Sequence, residues 1–200
     1  MTETTAGPQV SRTTLIALLI VFVGPLALAI VLFAFRDRLP IPAADTVGEL
    51  IEPLIPMPDL HPRPLSAAPV PEPMLRAHWT LLYLTTDGCD LRCQANLFKM
   101  RQVRLLVGRD RARVERLLLV SGPVAAGAVD EITGRYPRLP VVALDSADRQ
   151  VLERTLGPEL GDRIYIVDPL GNAMMRYPTD VPAKGLLKDL KHLLKVSQIG

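Results

Sequence analysis

Trp79-Thr-Leu-Leu-Tyr-Leu-Thr-Thr-Asp-Gly-Cys89-Asp-Leu-Arg-Cys93 carries the only two cysteines of a 200-residue chain. Its first half, Thr80 to Leu84, is a run of large apolar residues that reads as a buried strand. From Leu91 to Val107 the apolar residues change period, with Leu91, Ala95, Phe98, Val103 and Leu106 at helical spacing. The two thiols therefore fall at a strand-to-helix junction, at the start of the helix. A helix start exposes unpaired N–H groups and a partial positive charge, which favour the thiolate, the form that attacks disulfides and binds metal. Arg92 adds a further positive charge beside them. Cys89 and Cys93 are thus the candidate redox pair, and the candidate metal ligands.

Downstream, strands and helices alternate. Leu117 to Val120 reads as a second buried strand, Ala125 to Tyr136 as a helix, Val141 to Leu144 as a third strand and Ser146 to Leu156 as a helix capped by Ser146. Arg163 to Val167 and Ala173 to Tyr177 form a hairpin around Asp168-Pro-Leu-Gly-Asn172, and Ala183 to Val196 closes the chain as a helix. The order βαβαβαββα predicts an α/β domain with a mostly parallel sheet, covered on both faces, whose ligands bind beyond the carboxyl ends of the strands. With a cysteine pair after its first strand, this is a thioredoxin-like fold.

Four segments are expected. Residues 1–12 form a cytoplasmic tail, and 13–35 an uncharged apolar run long enough to cross the roughly 30 Å hydrocarbon core as a helix, despite Gly24 and Pro25. That run is too long for the apolar region of a cleaved signal peptide, and Arg36-Asp-Arg38 follows it in place of a small-residue cleavage site. Residues 36–73 form a proline-rich tether, in which Pro40, Pro42, Pro53, Pro56, Pro58 and later prolines deny backbone donors to helix and sheet. Within it, the stretch around Thr46 to Ile51 is open to a helical turn or two. Residues 74–200 form the thioredoxin-like domain, which is large enough to bury its own core.

Taken literally, the arginines flanking the span favour the opposite orientation, but long following domains translocate largely regardless of charge. A cysteine pair fits an oxidising compartment. The expected placement is a single-pass protein of the bacterial inner membrane with a periplasmic C-terminal domain. The net charge of +2, with basic residues scattered and no aromatic interleaving, argues against nucleic acid as a partner. Arg101, Arg104, Arg109, Arg111 and Arg113 make a basic helix end and loop, read as solvated or in contact with anionic lipid or an acidic partner.

The strand Trp79 to Leu84, the pair Cys89-Asp-Leu-Arg-Cys93 and the later Ile164-Tyr-Ile-Val-Asp-Pro-Leu-Gly-Asn172 together resemble the SCO/SenC family of copper-binding cytochrome c oxidase assembly proteins. That resemblance implies a membrane anchor, a thioredoxin-like domain outside the cytoplasm, copper as cofactor, and oxidase subunit II or other oxidase assembly proteins as partners. The family's copper is held by both cysteines and by a histidine just before the strand that matches Ile164 to Val167. Here that stretch is Gly157-Pro-Glu-Leu-Gly-Asp-Arg163, without histidine. His78 lies at the opposite end of its strand from Cys89, roughly 20 Å away at about 3.3 Å per residue. His192 sits on the closing helix, and nothing directs His61 to the pair. Met100, Met174 and Met175 are soft candidates whose simpler reading is core packing. The functional expectation is an SCO-like assembly factor that handles Cu(I) or the thiol redox state of the oxidase copper site. The alternatives are a general periplasmic thiol-disulfide oxidoreductase and a scaffold without chemistry of its own. An inert disulfide is the structural alternative, and a regular helix would hold one poorly.

Overall fold

A computed structural model describes residues 12–34, 46–86, 88–123, 127–157, 160–197 and 199. The chain divides into two units between Ala44 and Asp45. The first contains α1, Arg12–Ala34, a 23-residue helix of about 35 Å that carries Pro25 in its interior. Its composition and length suit a membrane anchor. The tail before it, the tether residues 35–45 and the positions of Asp87, Ala125, Ala126, Pro158 and Glu159 lie outside the described residues.

The second unit is built on one seven-stranded mixed sheet. In chain order its strands are β1 (Glu49–Pro56), β2 (Arg63–Pro64), β3 (Trp79–Thr85), β4 (Val114–Val120), β5 (Val141–Ala143), β6 (Arg163–Val167) and β7 (Asn172–Tyr177). Across the sheet they run β1-β7-β6-β3-β4-β5-β2. The centre, β3-β4-β5, is parallel, and β6, β7, β1 and β2 join by antiparallel pairing. The helices are α2 (Leu91–Leu106), α3 (Ala128–Arg135), α4 (Ser146–Leu156) and α5 (Ala183–Val196), with a 3₁₀ turn at Gly108–Arg113.

Every residue of β3 is buried, as expected for a strand covered on both faces. Its alternation divides the core in two. Leu81 and Tyr83 join Leu97, Met100, Ile132, Leu186 and Leu190 on one side, whereas Leu82 and Leu84 join Leu117, Leu119 and Leu152 on the other. The thioredoxin-like order of the central elements is as the alternating pattern predicts.

Three local expectations differ. The N-cap of α4 is Asp145, not Ser146, because the Asp145 carboxylate accepts from the Asp148 N–H at 2.7 Å. On α2 the apolar stripe that reveals the helix in the sequence is largely not the buried one. Leu91 is 82% exposed and Phe98 49%, whereas Cys93, Asn96, Leu97, Met100 and Val103 face the core.

The largest correction concerns the tether. From Thr46 onward the chain belongs to the folded unit, and the stretch read as a helical turn is the start of β1, paired with β7 as Glu49↔Arg176 and Leu50↔Met175. Prolines are tolerated there because β1 and β2 are edge strands, where one row of donors needs no partner. The Asp189 carboxylate on α5 anchors the entry, accepting from the N–H groups of Val47 at 3.0 Å and Gly48 at 2.9 Å. Farther along, Asp148 on α4 accepts from the His61 N–H at 2.9 Å. The Asp168 turn lies at the far end of the sheet from the cysteines, since Val167 stands opposite Thr80.

Candidate functional site

The carboxyl ends of β3, β4 and β5 fall on one edge, and there the chain makes its strand-to-helix junction. After Thr85 it turns through Gly88, whose φ of +81° is one that glycine adopts without penalty, while the Thr85 hydroxyl donates to the Gly88 carbonyl. Ser121, at the end of β4, donates to the Thr85 carbonyl through its N–H at 2.9 Å and its hydroxyl at 3.2 Å. Asp90 then caps α2, its carboxylate accepting from the Cys93 N–H at 2.9 Å.

Cys89 and Cys93 are joined as a disulfide with a Cα–Cα separation of 5.0 Å. This sits inside the roughly 4.4–6.8 Å range of relaxed bridges. Both cysteines were expected within the helix start, where such a bond closes poorly. Cys89 instead precedes the cap in extended backbone, and only Cys93 lies in the first turn. The two sulfurs are unequal: Cys93 has no exposed surface, whereas Cys89 is half-buried at the rim.

The charges around the pair are more balanced than Arg92 alone implies. Arg92 Nε lies 3.2 Å from Asp90 and its Nη2 3.6 Å from Asp162. Asp90's carboxyl is held below its ordinary value, first by the Cys93 N–H and then by Arg92. Asp162 stands in the stretch Gly157 to Arg163, where the resemblance places a histidine. Because Arg163 pairs with Leu84, this stretch reaches the cysteine edge of the sheet. Asp162 adopts a left-handed φ of 53° and accepts from the Tyr83 hydroxyl at 3.2 Å. Burial first, then the Asp162 charge, keeps the Tyr83 phenol protonated far above its ordinary range. Gly161 allows the close approach: a Cβ there would lie 2.9 Å from the Thr86 hydroxyl.

Tyr83, Asp162 and Asn96 are site neighbours that the sequence reading missed. The one signal was Gly161-Asp162 ahead of a strand, a pair that favours left-handed turn geometry. Of the other candidates, His78 sits at the far end of β3, His192 is exposed on α5, and His61 lies in the segment beside α4. Met100 and Met175 are core residues, and the Met175 sulfur accepts from the Tyr177 hydroxyl at 3.3 Å.

Chemically, a half-exposed sulfur backed by a buried one suits stepwise exchange with a partner disulfide. When reduced, the same sulfurs offer two soft thiolates, a donor set that fits Cu(I). No group of three His, Cys, Asp or Glu side chains arranged to hold a metal occurs among the described residues. Asp162, the carboxylate nearest the histidine's place, is already engaged by Tyr83 and Arg92. The set therefore does not fit Cu(II), which asks for nitrogen or oxygen ligands in a tetragonal array.

Known proteins agree with this architecture. The copper-bound ScoI of Arabidopsis thaliana superposes with a TM-score of 0.54 at 16% identity, covering 70% of this chain and 100% of that one. BsSco, a member of the Sco family of cytochrome c oxidase assembly proteins in which a disulfide switch has been identified, gives 0.55 at 13%, covering 76% and 99%. The thioredoxin domain of a thiol-disulfide oxidoreductase from Bacteroides vulgatus gives 0.53 at 12%, covering 70% and 95%. At these identities the likeness is one of fold. No curated protein matches the chain. Residues 79–197, from the first residue of β3 to the end of α5, match the family model of the transmembrane-like, thioredoxin-like C-terminal domain, and the chain belongs to that family.

Proposed function

We propose that this protein is a membrane-anchored, SCO-like assembly factor that sets the thiol redox state of the cytochrome c oxidase copper site by dithiol-disulfide exchange through Cys89 and Cys93. The observation that carries this reading is the asymmetric pair: a bridge of 5.0 Å Cα separation with Cys89 at the rim and Cys93 fully buried beneath it. In the reduced protein the Cys89 thiolate attacks one sulfur of a partner disulfide, forming a mixed disulfide and releasing one partner thiolate. Cys93 then attacks the Cys89 sulfur, restoring the bridge and releasing the second partner thiol. The partner gains two electrons, the pair loses two, and a donor dithiol must reduce it again. The half-exposed sulfur is the attacker because only it is accessible to a second protein.

The fold likeness to a copper-bound relative supports a second use of the reduced pair, as a two-thiolate holder of Cu(I). The site faces the periplasm in this reading, and the anchor holds it at the inner membrane surface, within reach of oxidase subunit II.

The test uses the full chain in detergent. Cys93→Ser is expected to trap a mixed disulfide with a peptide carrying the oxidised subunit II cysteine pair, and Cys89→Ser to trap none. The reduced wild type is expected to take up one Cu(I), lost in either variant, and to hold Cu(II) poorly. Equal trapping by both variants overturns the assigned roles. A pair that neither exchanges with the peptide nor takes up Cu(I) leaves the scaffold reading in its place.

A further inference from the structure

On the face of the sheet covered by α2 and α3, away from the cysteine edge, Arg116 projects from β4 into a solvent-open pocket of about 240 Å³. Five more arginines line it: Arg101 and Arg104 from α2, Arg111 from the 3₁₀ turn, Arg135 from α3, and Arg138 just beyond it. Tyr136 and Leu105 complete the wall.

The charge in this pocket is unevenly compensated. Arg104 is bound to Glu115 at 3.0 Å and to the Val114 carbonyl, and Arg135 to Glu131 at 3.1 Å. Arg116 is only 8% exposed, yet its Nη1 is buried with no hydrogen-bond partner in the protein. Burial first, then the Arg104 charge, lowers its pKa to about 10, so it stays protonated at neutral pH. A buried guanidinium with an orphaned donor is costly to the fold, and a core position on a central strand ordinarily holds an apolar side chain. That cost is offset when an anion completes the arrangement.

We propose that the Arg116 pocket binds a phosphate group. Six guanidiniums against two engaged carboxylates call for a multiply charged oxyanion, and the planar guanidinium fork matches phosphate oxygens in pairs. The volume lies below the roughly 300–1,000 Å³ of pockets for drug-sized ligands, so the group is a small phosphate or a lipid headgroup rather than a nucleotide. The site is separate from the cysteine chemistry and does not depend on it.

The experiment uses the full chain in phosphatidylcholine nanodiscs, titrated with inorganic pyrophosphate while binding heat and Tm are read. A parallel arm replaces part of the lipid with phosphatidylglycerol. For a soluble phosphate, pyrophosphate binds and raises Tm, and Arg116→Met weakens binding ~10-fold or more. Arg138→Gln weakens it less, and Arg154→Gln, on the exposed side of α4, leaves it unchanged. For a headgroup, pyrophosphate has no effect, phosphatidylglycerol raises the wild-type Tm, and Arg116→Met removes that rise while Arg154→Gln retains it. In both cases Arg116→Met without phosphate is at least as stable as wild type, because it removes an unpartnered buried charge. Should Arg116→Met fail to fold, the exposed pair Arg101→Gln with Arg138→Gln carries the same comparison. A wild type that responds to neither probe, or that responds equally with the pocket arginines removed, overturns the proposal.

Discussion

Asp90 performs two tasks that oppose each other at one residue. Its carboxylate caps α2 by accepting from the Cys93 N–H, and it places a negative charge beside the sulfur that must become a thiolate. Asp90→Asn keeps an acceptor at the cap while removing the charge. The reduced pair should then be favoured and the reduction potential should rise by on the order of 10–30 mV, since ~30 mV corresponds to a tenfold change in the exchange constant. Equilibration with a glutathione buffer reads this shift, and an unchanged or lower potential contradicts the argument. Asp90→Ala removes the cap as well, at about 0.5–2 kcal/mol. The pH dependence has a fixed sign. The Asp90 carboxyl is held below its unfolded value, so its contribution is present above about pH 4 and is lost as pH falls through the lower folded value. Because the side chain is 51% exposed, solvent screening keeps that contribution small. The two cysteines and the cap were legible at this scale because both depend on neighbours in sequence. Asp162 was not, since its importance comes from Tyr83 and Arg92, which are brought to it only by the β3–β6 pairing.

Among the elements, β1 is the one whose presence the proline content concealed. It is held at two places: at its edge by the Arg176–Glu49 pair across from β7, and at its entry by Asp189, a buried carboxylate 2% exposed. One Asp189 oxygen accepts from Val47, Gly48 and the Tyr177 hydroxyl, the last at 3.1 Å. Asp189→Ala strands three donors in the core and is expected to cost about 3–5 kcal/mol, read as a drop in the denaturation midpoint. Gly48→Ala should be of similar severity for a steric reason, because a Cβ there would lie 2.3 Å from the Tyr177 ring. A near-neutral result for both would show that the entry to β1 is not held as described. The periodicity of α2 was read correctly as helix, yet the face it buries is set by Leu97, Met100 and Val103 meeting the sheet. Its exposed Leu91 and Phe98 stripe gave the same helical signal.

For the molecule as a whole, the folded unit extends well upstream of the expected domain start at residue 74. A fragment beginning at Asp45 is expected to be soluble and to unfold cooperatively. One beginning at Met74 lacks β1 and β2, leaves the edges of β7 and β5 unpaired, and is expected to aggregate or to unfold at a markedly lower temperature. Size-exclusion chromatography and thermal melts of the two fragments compare them directly, and equal behaviour would mean that the edge strands are dispensable. The apolar anchor, the alternation of strand and helix from Trp79 onward and the position of the cysteine pair were all readable along the chain. Each is written in local composition or in a period of two or 3.6 residues, and such signals survive without knowledge of what packs against them. The edge strands, the left-handed Asp162 beside the disulfide and the arginine pocket floored by Arg116 belong to the tertiary structure. They arise where residues far apart in sequence meet, and an edge strand rich in proline, or an arginine within an apolar run, has no local pattern that announces what it will face.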